Sequence, residues 1–367
     1  MSNFGFELRN KIKKSKRNNF GVENYDEFRY GKFVKPKSFI QDPVVFLKEL
    51  TKRAIGYECI KFNTWINGHE QNVEELYENL NSQGKHLLVE LIAYHFLGYK
   101  HVKLERNNKA YWDAVGTGNS MADKNDTYDP HFLNIILEKV DLNPIGFDVK
   151  MFFSGYAIAI DFILEQYAYK FNNRTIVEVE AGDVVIDGGA CWGDTALYFA
   201  HKTGEHGKVY SFEFIPDNIK LFNINRSFNP HLEKLIELVP LPLYHTSGVN
   251  IYFKDNGPGS RIGFQPFDSQ TGSTTTITID DLVNSKNISK VDFIKMDIEG
   301  AETSALNGAI ETIRKFKPKL AIAIYHSIED IYNIPKWILG LNMGYEIFID
   351  HFTIHTEETV CFARIKD

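Results

Sequence analysis

Residues 184–213, VVIDGGACWGDTALYFAHKTGEHGKVYSFE, constrain the fold more than any other stretch: a buried strand, a glycine-rich turn, a helix, and a second strand ending in an acid. Val184, Val185 and Ile186 make the short apolar run of a parallel strand covered on both faces, and Asp187 stands at its end. Gly188 and Gly189 let the backbone turn sharply and come close to a ligand, while Gly193 thins the start of the next helix. Asp194 and Thr195 suit the first turn of that helix, whose apolar face is Ala196, Leu197, Phe199 and Ala200. Glu213 closes the second strand, Val209 to Phe212, about 20 residues past the glycines, where an acid can accept both hydroxyls of a ribose.

The glycine spacing bears on which nucleotide. A dinucleotide fingerprint needs G-x-G-x-x-G so that a pyrophosphate can rest on the helix N-terminus, but the order here is Gly189, Ala190, Cys191, Trp192, Gly193. A ligand with a ribose and no phosphate chain fits better, and S-adenosylmethionine (SAM) is the foremost candidate. On this stretch alone a dinucleotide site and a purely structural strand-turn-helix stay open.

The chain has 367 residues, enough for one large or two medium domains. A net charge of -7 argues against a general nucleic-acid binder. Cys59, Cys191 and Cys361 are far apart and form no metal-type pair, so a reducing, cytoplasmic setting is the expectation. No apolar run approaches the ~18 residues of a membrane span, and the N-terminus lacks the apolar core of a secretory signal.

The first 40 residues read as a solvated or frayed arm, basic through Arg9, Lys11, Lys13, Lys14, Lys16 and Arg17, with an arm that touches anionic lipid or a phosphorylated substrate as the alternative; Phe4, Phe6, Leu8 and Ile12 give it some apolar character. Helices are expected from Asp42 (with Val45, Phe46 and Leu50), over Asn72 to Leu80, and over Lys85 to Phe96, with a short strand at His101 to Glu105. Residues 107–130, rich in Asn, Asp and Gly, read as a long loop that would lie over a ligand site. Helices are then expected over His131 to Lys139 and Met151 to Tyr169. These features give a mainly helical N-terminal region, 1–150, and a nucleotide-binding domain, 151–367. In the latter, strands at Val184, Val209, Ile236, Val291, Lys319, Tyr345 and Thr359 alternate with helices, implying a doubly wound, mostly parallel seven-stranded α/β sheet. The last two strands read as an antiparallel hairpin at its edge. A turn-rich excursion, KDNGPGSRIGFQP, carries Arg261.

In an open parallel sheet ligands bind outside the carboxyl ends of the strands. Asp187, Glu213, Asp297 with Glu299, and His326 all fall there. Around Gly300, the carboxylates Asp297, Glu299 and Glu302 flank a strand-to-helix turn; capping accounts for Glu299 and Glu302 as readily as chemistry does. Asp297 would suit the amino group of a methionine moiety. His326, if a neutral imidazole, would take the proton of an alcohol attacking a methyl sulfonium, although a structural histidine is an equal reading. A divalent metal held by Asp297, Glu299 and His326 is possible by residue type but not favoured, since no repeated acid cluster supports it. Two Tyr-x-x-x-Lys matches, Tyr57 to Lys61 and Tyr332 to Lys336, follow no first-strand fingerprint and carry no weight.

With these residues in hand, Asp183 to Ala309 strongly resembles the FkbM family of SAM-dependent O-methyltransferases. VVIDGGACWGDTALYFA is similar to its first motif, with Cys191 where many members carry Asn. VYSFEFIPDN is similar to its second-strand motif, and TTTITIDDL followed by VDFIKMDIEGAE to its most specific signature. The resemblance implies a Rossmann-like class I methyltransferase fold. It also implies that Asp187, Gly189 and Trp192, with Gly188, Ala190, Asp194 and Thr195 in the same turn, surround SAM. Glu213, beside Phe214, would hold the ribose, and Asp297 and Glu299 would face the methionine end or the acceptor. His326 matches a family histidine only loosely.

The helical stretch SQGKHLLVELIAYHFLGYKHVKL is similar to the leader of longer members that accompany bacterial surface-polysaccharide genes. This implies a sugar hydroxyl as acceptor, nucleotide-linked (a heptose, for example) or in a glycan, with the 107–130 loop, Arg261 and His326 as its expected contacts. A nucleotide-sugar oxidoreductase using NAD(P) and a non-catalytic SAM- or glycan-binding protein are the rival readings. The sequence leaves the oligomeric state open.

Overall fold

The computed structural model describes residues 2–14, 25–34, 43–44 and 57–366. Val45, Phe46 and Leu50 of the helix expected from Asp42, Asp42 itself, and the basic residues Lys16 and Arg17 lie outside the described residues, as do the side chains of Tyr57, Cys59 and Lys61. The chain divides into two compact units, Met1–Lys109 with Thr353–Glu357, and Ala110–Phe352 with Glu358–Asp367.

In the first unit, the start of the expected solvated arm is a packed helix, α1 (Asn3–Lys14). Phe4, Leu8 and Ile12 recur every fourth residue and are buried, so one stripe of the helix belongs to the core. It packs on α2 (Tyr57–Asn79) and α3 (Ser82–Leu97), and Lys11 of α1 pairs with the buried Glu90 of α3. The Asn81 side chain caps α3 by accepting from the Gly84 amide at 2.8 Å. His101 to Glu105, expected as a strand, is irregular: Val102 and Leu104 are buried, but no strand among the described residues pairs with them.

The second unit corrects three expectations. Residues 107–130 hold a helix, α4 (Lys109–Ser120), and a strand, β1 (Ala122–Tyr128), rather than a long loop. Tyr111, Ala114, Val115 and Gly118 are spaced for one buried face, and the Asn and Asp residues that suggested a loop lie mostly outward. Gly118 abuts Gly155 so closely that a Cβ on it would sit 2.1 Å from the Gly155 carbonyl oxygen. His131 to Lys139 is not a helix but leads into β2 (Leu137–Asp141). Met151 to Tyr169 is β3 (Lys150–Phe153), then helical turns Gly155–Ile158 and Ala159–Ile163, then the start of β4 (Tyr169–Phe171). Short apolar runs satisfy either period, and here pairing of β2 with β1 and β3 decides. β4 pairs with β5 (Arg174–Val177).

The main sheet is built from β6 (Val184–Gly188), β7 (Lys208–Phe212), β8 (Ile236–Val239), β12 (Phe293–Met296), β13 (Lys319–Ala323), β14 (Tyr345–His351) and β15 (Thr359–Ile365), in the order β14-β15-β13-β12-β6-β7-β8. β6, β7, β8, β12 and β13 run parallel, and β15 runs against both β13 and β14. The final two strands form the expected antiparallel hairpin at the edge of the sheet, with β14 outermost and β15 between it and β13. Helices α5 (Asp194–Thr203), α6 (Pro216–Ser227), α7 (Ile279–Ser285), α8 (Glu302–Asn307), α9 (Ile310–Phe316) and α10 (Asp330–Gly340) connect the strands. The single helix expected over Ala301 to Phe316 is broken at Gly308, where a Cβ would come 2.3 Å from the Tyr244 carbonyl oxygen. A small separate sheet, β9 (Asn250–Lys254), β10 (Arg261–Gly263) and β11 (Gly272–Thr275), makes up the turn-rich excursion.

Val185, Ile186, Phe293 and Ile294 are fully buried, as strands covered on both faces require. From β6 the chain first moves out to β7 and β8, then returns on the other side as β12 and β13. The order reverses between β6 and β12, and at such a switch point the departing connections leave a crevice at the carboxyl ends of the strands.

Candidate active site

Register brings Asp187 level with Lys295 of β12 on one side and Ser211 of β7 on the other. Side chains level in adjacent strands share a face of the sheet, so the three meet. Asp187 is fully buried: it accepts from Ser211 Oγ at 2.9 Å and from Thr195 Oγ1 at 3.0 and 3.1 Å, and lies 3.3 Å from Lys295 Nζ. Lys295 also donates to the carbonyl oxygens of Gly188 at 3.0 Å and Gly189 at 2.6 Å. An ammonium has three donors, and all three are spent, one on Asp187 and two on the carbonyl oxygens of the turn. A buried lysine and aspartate thus hold the glycine turn from below.

The turn itself has little room. Gly189 has φ +79° and a Cβ on it would be 1.8 Å from the Asp297 carbonyl oxygen, while Gly193, at φ +89°, sits against the Phe222 ring. Above the turn lies a cavity of about 400 Å³. Of the residues expected from the sequence, Gly189, Trp192, Asp194, Thr195, Glu213, Phe214, Asp297 and Glu299 line it. Asp187, Gly188 and Ala190 are buried beneath, Arg261 lies between the lining residues Ser260 and Ile262, and His326 stands behind Asp297 and Glu299.

Glu213 is fixed by the main chain that follows it. Its Oε1 accepts from the amides of Phe214 and Ile215 at 2.6 and 2.7 Å, and its Oε2 from Asn218 Nδ2 at 3.0 Å. Asn218 in turn accepts from Trp192 Nε1 at 3.1 Å, linking α6 to the turn. Burial pushes the Glu213 carboxyl up to about 7, partly offset by these donors. Asp194, at the start of α5, is pushed to about 6 chiefly by burial, with Lys295 opposing.

At the end of β12, Asp297 accepts from Tyr325 Oη at 3.0 and 3.1 Å and from Tyr167 Oη at 3.3 Å. His326 Nε2 is 3.5 Å from Asp297 and 3.7 Å from Glu299, and its Nδ1 is 3.1 Å from Glu302 Oε1, close enough to pair but off the hydrogen-bond line. Burial lowers the affinity of this ring for a proton, but the three carboxylates outweigh it and hold the pKa at about 9. The acids that surround His326 thus favour its charged form, whereas the general base expected from the sequence needs a neutral ring. Glu302, nearly fully buried, caps the turn by accepting from the Ile298 amide at 2.8 Å. Asp297, Glu302 and His326, rather than Asp297, Glu299 and His326, bring potential metal-ligand atoms within 4.8 Å of one another. When the ring is protonated these three side chains form an ion-paired cluster.

Several site residues escaped sequence reading. Lys295 left a usable signal, since a lysine inside an apolar strand must be paired. Tyr325, beside His326 at the end of the same strand run, left a weaker one. Asp161, Tyr167, Gln166 and Glu358 also line the cavity, yet come from helical turns and a strand end that carry no motif.

An open sheet with a central switch point, six strands running one way and one reversed strand next to its edge, with an acid at the end of its second strand, defines an α/β domain of the class I methyltransferase type. Residues 181–347 match the family model of the methyltransferase FkbM domain, so the chain carries a methyltransferase domain over that stretch. Among solved structures, the chain is similar to methyltransferase FkbM from Methylobacillus flagellatus KT, at 21% identity and TM-score 0.41, covering 75% of this chain and 65% of that one, just under two thirds of its length. It is also similar to Aeropyrum pernix fibrillarin in complex with S-adenosyl-L-methionine (13% identity, TM-score 0.33, 62% of this chain and 89% of that one). A putative rRNA-methylase from Clostridium thermocellum is a third (15%, 0.33, 52% and 90%). No curated protein matches the chain. Among the described residues no helix is long and apolar enough to cross a membrane.

Proposed function

We propose that the chain is a SAM-dependent O-methyltransferase whose acceptor is a sugar hydroxyl of a capsular polysaccharide or lipopolysaccharide precursor. The observation that carries the cofactor half is the pairing of Glu213 and Asp297 at the carboxyl ends of β7 and β12, on either side of β6 and lining one cavity. The residues fit the group: an acid fixed for a ribose, and a cation-attracting wall. When bound, SAM supplies a methyl on a sulfonium, which an acceptor oxygen displaces to leave S-adenosylhomocysteine (SAH).

The chain's own residues then have separable tasks. Glu213 accepts the ribose hydroxyls, and the Gly188 to Gly193 turn skirts the cofactor. Most of the acceleration comes from holding the acceptor oxygen in line. The acceptor proton falls to Glu299, whose side chain, 60% exposed, lines the cavity at its rim with Asp297 beside it. His326 as a cation holds both acids in place. The sugar reading is supported by the resemblance to polysaccharide-associated proteins and by the rim. There Ile262 lines the cavity and the Phe264 ring, 49% exposed, lies 5.1 Å from that of Tyr244, a surface suited to the apolar face of a sugar. Arg261, its guanidinium 4.7 Å over the Phe267 ring, would be the contact for an anionic part of a nucleotide-linked acceptor. A cytoplasmic setting is part of the proposal.

Incubating the full chain with SAM and a panel of nucleotide-linked sugars and glycan fragments, and reading the products by mass spectrometry, tests it. Gain of a methyl on a sugar, matched by SAH release, is expected. Methylation confined to a non-carbohydrate acceptor would contradict the sugar half and leave the cofactor half standing.

A further inference from the structure

The carboxylates of the cavity are not equally committed. Both Asp297 oxygens accept from the Tyr325 hydroxyl and one also from Tyr167, Glu213 is held by two amides and an asparagine, and Glu358 is paired with Gln166. Asp161 differs: it lines the same cavity and, among the described residues, makes no hydrogen bond and no ion pair. It lies in the widened helical turn Ala159–Ile163, where Leu164 N–H reaches back to the Ala159 carbonyl oxygen at 2.8 Å. Such turns carry an extra residue that re-aims a side chain, and they are frequent at functional sites. The flanking Ile160 and Phe162 are buried.

Asp194 is the nearest comparable acid. It is only 9% exposed, lines the cavity, and has no side-chain partner, being backed by amides of the first turn of α5. The one ammonium close by, Lys295, has its three donors spent on Asp187, Gly188 and Gly189. Two carboxyls therefore face one cavity, and among the described residues no cation pairs with either. A positively charged ligand group supplies what the protein does not. Burial, with Asp194 alongside, holds the Asp161 carboxyl well above the usual carboxylate range, so the group ionises as a cation arrives to pair with it.

We infer that Asp161, with Asp194, is the subsite for the α-ammonium group of the methionine moiety of SAM, a role that Asp297 would otherwise take. This rests on the SAM reading above and adds a residue to it. Asp297, already bonded to two tyrosine hydroxyls, is then left to the acceptor side with Glu299.

The test compares SAH, which carries the ammonium, with methylthioadenosine, which keeps the adenine and ribose but lacks the amino-acid moiety. Both are titrated by calorimetry into the full-length chain and into Asp161→Asn. The variant should bind SAH ~10-fold or more weakly, the scale of a lost charge-assisted hydrogen bond, while its affinity for methylthioadenosine stays within about twofold. Retained methylthioadenosine binding also shows that the variant is folded. If Asp161→Asn does not fold, Asp194→Asn is read in the same way and should shift the same ratio. An unchanged ratio of the two affinities, or an equal loss of both in a folded variant, would overturn the assignment. Sinefungin, which bears an amine where SAM bears its methyl, closes the last escape. A variant that loses preference for sinefungin over SAH, with the SAH-to-methylthioadenosine ratio intact, places Asp161 at the methyl position and overturns the proposal too. Failure of the wild-type chain to bind either SAH or methylthioadenosine would instead overturn the cofactor reading, and this inference with it.

Discussion

Lys295 Nζ lies 3.3 Å from Asp187 Oδ1, and the two side chains are 1% and 0% exposed. Taking such a pair out of water is costly, and what offsets the cost is that Lys295 also fixes the carbonyl oxygens of the glycine turn. Lys295→Met should therefore lower stability by about 3–5 kcal/mol in denaturant unfolding, because it leaves Asp187 charged and unpaired. Adding Asp187→Asn should recover part of that loss. A double variant as unstable as the sum of the single ones would show that the two do not act as a pair.

Gly189→Ala should abolish SAH binding. The new Cβ would lie 1.8 Å from the Asp297 carbonyl oxygen at a φ that side chains avoid, so either the turn or the end of β12 must move. Circular dichroism alongside calorimetry checks that the loss is local.

Glu213 should give ligand binding a pH dependence. Its carboxyl is raised from 4.5 to about 7 in the folded chain, whereas ribose hydroxyls donate to the ionised form. SAH affinity should rise as pH climbs through about 7 and then level, with proton release measurable in buffers of different ionisation enthalpy. Glu213→Gln should bind ~10-fold or more weakly and lose that part of the rise, the residual coming from acids such as Asp194. A variant whose affinity climbs as steeply as the wild type would remove Glu213 from the ribose site.

Much of this arrangement was legible beforehand because it is local in sequence. The β6 turn, the acid after β7 and the Asp297 to Glu302 segment sit at strand ends, and period and spacing suffice to find them. What was hidden depends on partners far away in the chain. Lys295 matters because register sets it beside Asp187, and Asp161 because a widened turn brings it over a cavity. Residues 107–130 were misread because their Asn, Asp and Gly residues lie mostly on the outward side of α4 and β1, and 131–169 because runs such as Leu137 to Val140 and Met151 to Phe153 satisfy a helical and a strand period equally, which pairing among β1, β2 and β3 settled. His326 shows a further limit. Its position was readable, but its raised proton affinity was not, since that follows from Glu302, Asp297 and Glu299 converging on one ring.

That convergence should appear in the stability curve. The His326 pKa is raised from 6.5 to about 9, so its contribution is complete below pH 6.5 and is lost as pH rises through about 9. Across that window wild-type stability should fall by at most about 3 kcal/mol more than that of His326→Gln, measured by urea unfolding. Parallel curves for the two proteins would mean that the ring is neutral, and would return it to candidacy as a base.

The central claim is that the cavity between β6, β7 and β12 holds SAM. Calorimetric titration of the full-length chain with SAM and, separately, with NAD tests it most directly. Saturable binding of SAM at one site per chain, with no heat from NAD, is the expected result. Binding of NAD with none of SAM would contradict it and turn the site into that of an oxidoreductase.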